Sequence, residues 1–323
     1  MKRLLIVVFS ISGCISLNAQ NRTISPLQFG LNQEQSGIEK FWTLYKTHTE
    51  AKRQNKKVSY FGIDSLEIEI PKDYKSIPLS DETDFCGLIL TVKCCEQDAV
   101  LFEMSQEAKP IEIEKKLVDD GYFKKYGQLD KGLFLLDLTD DNLWVKQRQG
   151  FGYGHQRKDL LLLKDGKALN KTIFPYNNGD TELSSVYSEV TPNKRVIENL
   201  TFVRKAGNTK IVSFVVIDHQ YNVDINNINI KTPVDTLYGD QAIIVTNSYG
   251  VSFNDILIDG TYSRPDAYGY GITMNNVCNV EFNRLHARGN WGVFGNTIHI
   301  NEHKLRGIQD FRAIAVACHN VSW

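Results

Sequence analysis

From about residue 195 onward, apolar positions recur with period two in short runs bounded by polar or small residues, the pattern of half-buried strands. Three segments align: Tyr221-Asn-Val-Asp-Ile-Asn-Asn-Ile-Asn-Ile, Tyr249-Gly-Val-Ser-Phe-Asn-Asp-Ile-Leu-Ile and Cys278-Asn-Val-Glu-Phe-Asn-Arg-Leu-His-Ala. Val223, Val251 and Val280 share one column, Ile225, Phe253 and Phe282 a second, and Ile228, Ile256 and Leu285 a third. The offset is nearly constant from one segment to the next, and Leu200 and Phe202 continue the pattern one repeat further upstream. A second strand precedes each segment, with Val215, Ile243 and Ile272 in one column and Ile217, Val245 and Met274 in another. It is expected again at Val293 and at Ile314 to Val316, now at a shorter spacing. Such short strands cannot bury an inner face alone, whereas stacked repeats bury a continuous core. The expected fold is therefore all-β, a parallel β solenoid. An antiparallel sandwich would not return the same residue types at a fixed offset.

Asn226, Asn254 and Asn283 form a further column, each directly after the inward pair, and Asn301 again follows Ile298-His-Ile300. Stacked asparagine amides satisfy the backbone at a sharp bend and bond to one another along the axis. Of the 25 asparagines, 15 lie between residues 190 and 300, so the enrichment belongs to the coils. With this ladder the chain resembles the right-handed parallel β-helix of the pectin and pectate lyase superfamily. The resemblance implies an N-terminal helical cap, and residues 36–53 place Ile38, Phe41, Trp42, Leu44 and Tyr45 near helical spacing. The alternating strand Ser65 to Ile70 follows, ending at Pro71.

The organisation read this way has a signal peptide at 1–20, then a cap with first strands at 21–80. Irregular β coils or an inserted β subdomain occupy 81–190, with strands at Phe134 to Leu136 and Leu160 to Leu163. Regular coils fill 191–323. Residues 302–311 miss the repeat, and the end at Trp323 reads as an uncapped half coil.

Length and charge narrow the function. The 37 basic residues balance 38 acidic ones, which excludes a polyanion binder that works by bulk electrostatics, and no nucleic-acid motif occurs. No apolar run reaches the length of a transmembrane span. Lys2 and Arg3 followed by Leu4 to Phe9 form the charged and apolar regions of a secretory signal. Two processing routes compete, cleavage near Ala19 and lipid anchoring at Cys14 in Ile11-Ser-Gly-Cys14. Either places the protein outside the cytoplasm of a bacterium: periplasmic, on the cell surface or secreted. The remaining Cys86, Cys94, Cys95, Cys278 and Cys318 are odd in number and lack zinc spacing, so most of them read as buried small apolar residues.

Candidate chemistry lies in three loops that lead into the second strand column. They carry Asp235 and Asp240, then Arg264, Asp266, Tyr268 and Tyr270, then Arg288, Asn290 and Trp291, with Phe294 just beyond. Coils stack about 4.8 Å apart, so the loops span roughly 10–15 Å, the length of two or three sugar rings. Ala242, Gly271 and Gly292 are expected to face outward as a flat floor. Tyr268, Tyr270, Asn290, Trp291 and Phe294 beside it suit sugar binding, and Arg264 and Arg288 suit uronate or sulfate groups. Padding of the loops by these aromatics is the competing account. A glycoside hydrolase needs two carboxyl groups, for which Asp240 and Asp266 are the pair. A polysaccharide lyase needs a base and a cation, which Arg264, Arg288 or Lys231 supply, with calcium at Asp235 or Asp240. The aspartate pair and Gly-His-Gly of polygalacturonases are missing: the aligned stretches read Gly239-Asp-Gln, Tyr268-Gly-Tyr-Gly and Gly289-Asn-Trp-Gly.

Two readings follow. One is an exported protein that binds and cleaves an acidic, uronate-containing polysaccharide. The other is a non-catalytic β-helix for glycan binding or surface attachment. A basic, aromatic stretch from Trp144 to Asp159 reads as a solvated turn, with a substrate-gripping loop as the competing account, and His219, aligned with Asn247 and Asn276, as a turn residue.

Overall fold

The structure is a computed structural model that describes residues 22–94, 96–146, 154–172, 176, 183–208, 210, 212–232, 241–259, 270–288, 298–301, 304–312 and 316–319. For 141–146, 154–157, 241, 270, 287–288 and from 298 onward, it describes the backbone path alone. The expected signal peptide with Cys14 lies outside the described residues.

Strand β1 (Thr23–Ile24) leads through a 3-10 turn at Pro26–Phe29 to helix α1 (Gly37–Gln54). The Ser36 hydroxyl accepts from the Glu39 N–H while the Glu39 carboxylate accepts from the Ser36 N–H, a capping box that starts the helix. Asn55, left-handed at φ 52°, ends it. Phe41, Leu44 and Ala51 are buried as α1 packs on β2 (Lys57–Ser59), β3 (Ser65–Glu69) and β4 (Ile77–Pro78). Next come β5 (Glu82–Lys93) and β6 (Ala99–Ser105).

Between β6 and the regular coils stands a separate antiparallel sheet. It contains β7 (Lys109–Pro110), β8 (Leu133–Lys146), β9 (Gly154–Lys164), β10 (Lys167–Ala168) and β11 (Leu183–Glu189), with helix α2 (Lys115–Asp120) beside it. The chain then resumes with β12 (Arg195–Arg204), β13 (Val212–Asp218), β14 (Tyr221–Lys231), β15 (Gln241–Thr246) and β16 (Tyr249–Asp259). The last strands are β17 (Tyr270–Asn275), β18 (Cys278–Arg288), β19 (Ile298–Asn301), β20 (Lys304–Arg312) and β21 (Val316–His319).

These strands alternate between two sheets, each wholly parallel. One runs β1-β2-β5-β12-β14-β16-β18-β20 with β3 also on β5, and the other β4-β6-β13-β15-β17-β19-β21. The result is a parallel β solenoid of about six turns. Its register reproduces the repeat: Val223 pairs with Val251, Phe253 with Phe282, and Val215 with Ile243 and Ile243 with Ile272. The inward columns are fully buried, and Phe253 stacks on Phe282 at 5.2 Å and 19°. Toward α1 the core becomes aromatic, with Tyr60, Phe85, Phe102, Phe214 and Phe202 in successive ring contacts of 4.9 to 5.8 Å.

Three expectations need correction. Ile298 pairs with Ile272 and so holds the register assigned to Val293, which lies outside the described residues; Val316 then follows Ile298. Residues 304–312 do not miss the repeat. They form β20 on β18, with Leu305 opposite Val280 and Ile308 opposite Phe282, but register shifts break the simple alternation that pattern reading needs. Asn301 pairs with Asn275 in the other sheet, so it does not extend the Asn226 column.

Candidate functional site

Each long strand of the first sheet bends once. Asn199, Asn227, Asp255 and Arg284 take positive φ of 51° to 64° at the same point of successive coils, and the inward residues on either side are therefore three apart. Beside the bend stands the expected ladder. Asn254 Nδ2 donates to Asn226 Oδ1 at 2.9 Å, and Asn283 Nδ2 to Asn254 Oδ1 at 3.5 Å. The bend residues make a second ladder that pattern reading did not find: Asn227 donates to Asn199, Asn199 to Asp84, and Arg284 pairs with Asp255. Burial alone would raise the Asp84 carboxyl. Hydrogen bonds from Asn199 and the Cys86 N–H, with the Lys57 ammonium, hold it below its usual range.

Of the expected site, Asp235, Asp240, Arg264, Asp266, Tyr268, Asn290, Trp291 and Phe294 lie outside the described residues. The stems of their loops are placed. Lys231, Asp259 and Arg288 are register partners in three successive coils, and Tyr270 opens β17 opposite Gln241. All three loops thus leave one sheet and enter the other at the same corner. The bare floor is corrected at two positions: Ala242 and Gly271 are buried and so do not lie open to solvent, while Gly292 lies outside the described residues. On the outer side of β14, β16 and β18 runs a polar groove of about 430 Å³, lined by Lys194, Tyr221, Asp224, Ser252, Asn254 and Glu281 among others.

The opposite corner, between the second sheet and the first, carries the turn column His219, Asn247 and Asn276, with φ of 52°, 46° and 54°. Here the inserted sheet docks. Leu135, Leu160 and Leu162 pack against Tyr221, Tyr249 and Cys278, while Phe134, Leu136, Leu138, Leu161 and Leu163 face the insert's own core. Strand alternation is what lets β8 and β9 serve both sides. Cys278 replaces the tyrosine of the preceding coils and lies within 3.7 Å of the Leu160 carbonyl. It and Cys94 are buried, but Cys86 is exposed, against the small-apolar expectation, and takes a left-handed φ of 54°.

A polar network crosses this joint. Asp218 accepts from Thr246 at 2.6 Å and from Asn247 at 3.1 Å on Oδ1, and its Oδ2 lies 2.9 Å from His219 Nδ1. Asn276 Nδ2 bridges Asn247 Oδ1 at 3.2 Å and Asp137 Oδ1 of the insert at 2.8 Å. Burial pushes the Asp137 carboxyl up, against the pull of Lys158, His219 and the Asn276 amide. Burial acts on Asp218 in the same direction, but the bonds from His219, Thr246 and Asn247 outweigh it and hold that carboxyl down. Two neighbouring carboxyl groups therefore differ in proton affinity, as acid–base chemistry requires. Asp137 also lines a cleft of about 640 Å³ with Glu112, Thr139 and Ser184. Pattern reading missed both acids. The one signal is that Asp137 interrupts the apolar run from Phe134 to Leu138. No group of three or more His, Cys, Asp or Glu suited to a metal ion occurs among the described residues, and none of the described helices is long and apolar enough to cross a membrane.

No family model and no curated protein matches the chain. Among solved structures, the Gp54 tailspike of Acinetobacter baumannii bacteriophage AP22, in complex with A. baumannii capsular saccharide, aligns over 94% of this chain at 12% identity and TM-score 0.52. The alignment covers 47% of the tailspike, so this chain spans about half its length. The tailspike gp49 of Pseudomonas phage LKA1 aligns over 92% of this chain and 59% of its own, at 10% identity and TM-score 0.42. At these identities the likeness is one of fold.

Proposed function

We propose that this chain is an exported bacterial β-helix protein that holds a polysaccharide against its coils and cleaves an acidic, uronate-containing one by hydrolysis or β-elimination. The observation that carries the reading is the shared corner of three loops, with Lys231, Asp259 and Arg288 in register at one end and Gln241 opposite Tyr270 at the other. At a coil spacing of about 4.8 Å this corner matches a run of sugar rings. Tyr268, Tyr270, Asn290, Trp291 and Phe294 bind the rings, Arg264 and Arg288 hold the acidic groups, and Asp240 with Asp266 forms the carboxyl pair. In the lyase form, calcium at Asp235 or Asp240 is the added charge. A tailspike of similar fold solved with capsular saccharide supports a glycan ligand.

The same reading takes the coils as right-handed, α1 as the cap of the first coil, and the chain as a member of the pectin and pectate lyase superfamily it resembles. It takes residues 1–20 as the export signal, with Cys14 as a lipid anchor in the second processing route. The alternative, a non-catalytic glycan-binding or attachment protein, is favoured by the missing polygalacturonase aspartate pair and histidine. Incubation with a panel of uronate polysaccharides separates the two. Unsaturated product marks a lyase, new reducing ends without it mark a hydrolase, and retained binding without product leaves the attachment reading standing.

A further inference from the structure

We propose that the cleft on the inserted sheet is a second sugar site, in which Asp137 protonates a glycosidic oxygen and Glu112 takes a proton from the attacking water. The sugar class rests on the polysaccharide reading above; the placement of the acids does not. Asp137 pairs in register with Val186, and Val186 with Pro110, so Asp137, Val186 and Pro110 form one row across β8, β11 and β7. Thr139 and Ser184 form the adjoining row, and Glu112 follows Pro110 by two positions toward it. Two strand spacings across and two residues along put the backbones of Asp137 and Glu112 about 12 Å apart, so side chains that lean toward one another have a sugar ring's width between them. Polar Thr139 and Ser184 with apolar Ile113 and Val186 make a lining suited to a hydroxyl-rich ring with an apolar face.

Asp137 is held for this task at a cost in stability. It is 9% exposed, and the Asn276 amide that holds it is 1% exposed, with an Oδ1 that has no hydrogen-bond partner. Nε2 of His219, also buried, lacks a partner as well. A neutral Asn at 137 would accept the same bond without burying a charge, so packing alone does not call for an acid. The charged groups that act on Asp137 are Lys158 from β9 and His219 and Asp218 from the coils. They leave the carboxyl above its usual range because burial dominates, which suits a proton donor. In the reaction the Asp137 proton passes to the leaving oxygen as the C1–O bond breaks. Water adds to C1, its proton goes to Glu112, and exchange with solvent restores both groups, so one water is consumed per bond.

The test uses the full chain with uronate oligosaccharides for cleavage and the parent polysaccharides for binding. Asp137→Asn is expected to melt no lower than the unsubstituted protein at pH 7. Both it and Glu112→Gln, each made in a parent chain that carries Asp240→Asn and Asp266→Asn to silence the loop corner, should lose about 100-fold or more of that parent's release of saturated reducing ends from oligosaccharides. Because Glu112 is exposed, its variant carries the test even if Asp137→Asn folds poorly. Full activity of that parent in both variants, or polysaccharide binding with no oligosaccharide hydrolysis by the parent, would overturn the proposal and leave the binding reading intact. Hydrolysis lost on substitution in a chain that binds no polysaccharide would sink the binding reading and uphold the site.

Discussion

His48 is fully buried between α1 and the aromatic core, with Nε2 2.9 Å from the Tyr60 hydroxyl. Burial lowers its pKa from 6.5 to about 3 and raises that of Tyr60. Between these values an unfolded chain takes up a proton that the native protein refuses, so this part of the stability is complete above pH 6.5 and lost as pH falls. From pH 6.5 to 4.5 the loss is about 2–3 kcal/mol. Urea melts at both values should show it in the unsubstituted protein, and His48→Gln should remove most of the difference. A second residue-scale test concerns the bend. Asn227 sits at φ 51° and donates to Asn199, so Asn227→Ala loses a hydrogen bond and gains left-handed strain, about 1–2 kcal/mol together. Asn227→Gly escapes the strain and should melt above the alanine variant. At Asn226, which lacks positive φ, that order should reverse.

Among the elements, the inserted sheet packs on the tyrosine column of the coils and is tied to the neighbouring turn column by the Asn276–Asp137 bond. The tyrosine column of the coils ends at Cys278 because the Leu160 backbone approaches there. Cys278→Tyr would overpack the joint and cost about 1–3 kcal/mol, and its melt should resolve an early loss of the insert. Cys278→Ala should cost less. The strand β3 and the helix α1 were legible in the sequence, because each carries its own period, whereas β5 fell in the stretch read only as irregular coils or an inserted subdomain. β20 was not, since its register shifts scatter Leu305, Ile308 and Phe311 off a period of two.

For the molecule as a whole, a net charge of −1 leaves little long-range field to draw in an acidic polysaccharide. Binding should therefore weaken only a few-fold between about 50 and 200 mM salt, and Arg288→Gln should remove much of that dependence. A steep salt response that survives the substitution would place the contacts elsewhere. By itself the sequence determined that the chain is a parallel solenoid and which residues of β12 to β18 face its core, because coil-to-coil contacts there repeat a local pattern at a near-constant offset. It also located the stems of the three loops. Only the tertiary structure decided where the insert lies, and hence that Asp137 meets the distant Asn276 beside Asp218 and His219. The physical reason is that a contact made once, between two unlike surfaces, leaves no period to read. Burial then sets the proton affinity of the acid, and burial exists only after the two surfaces have met.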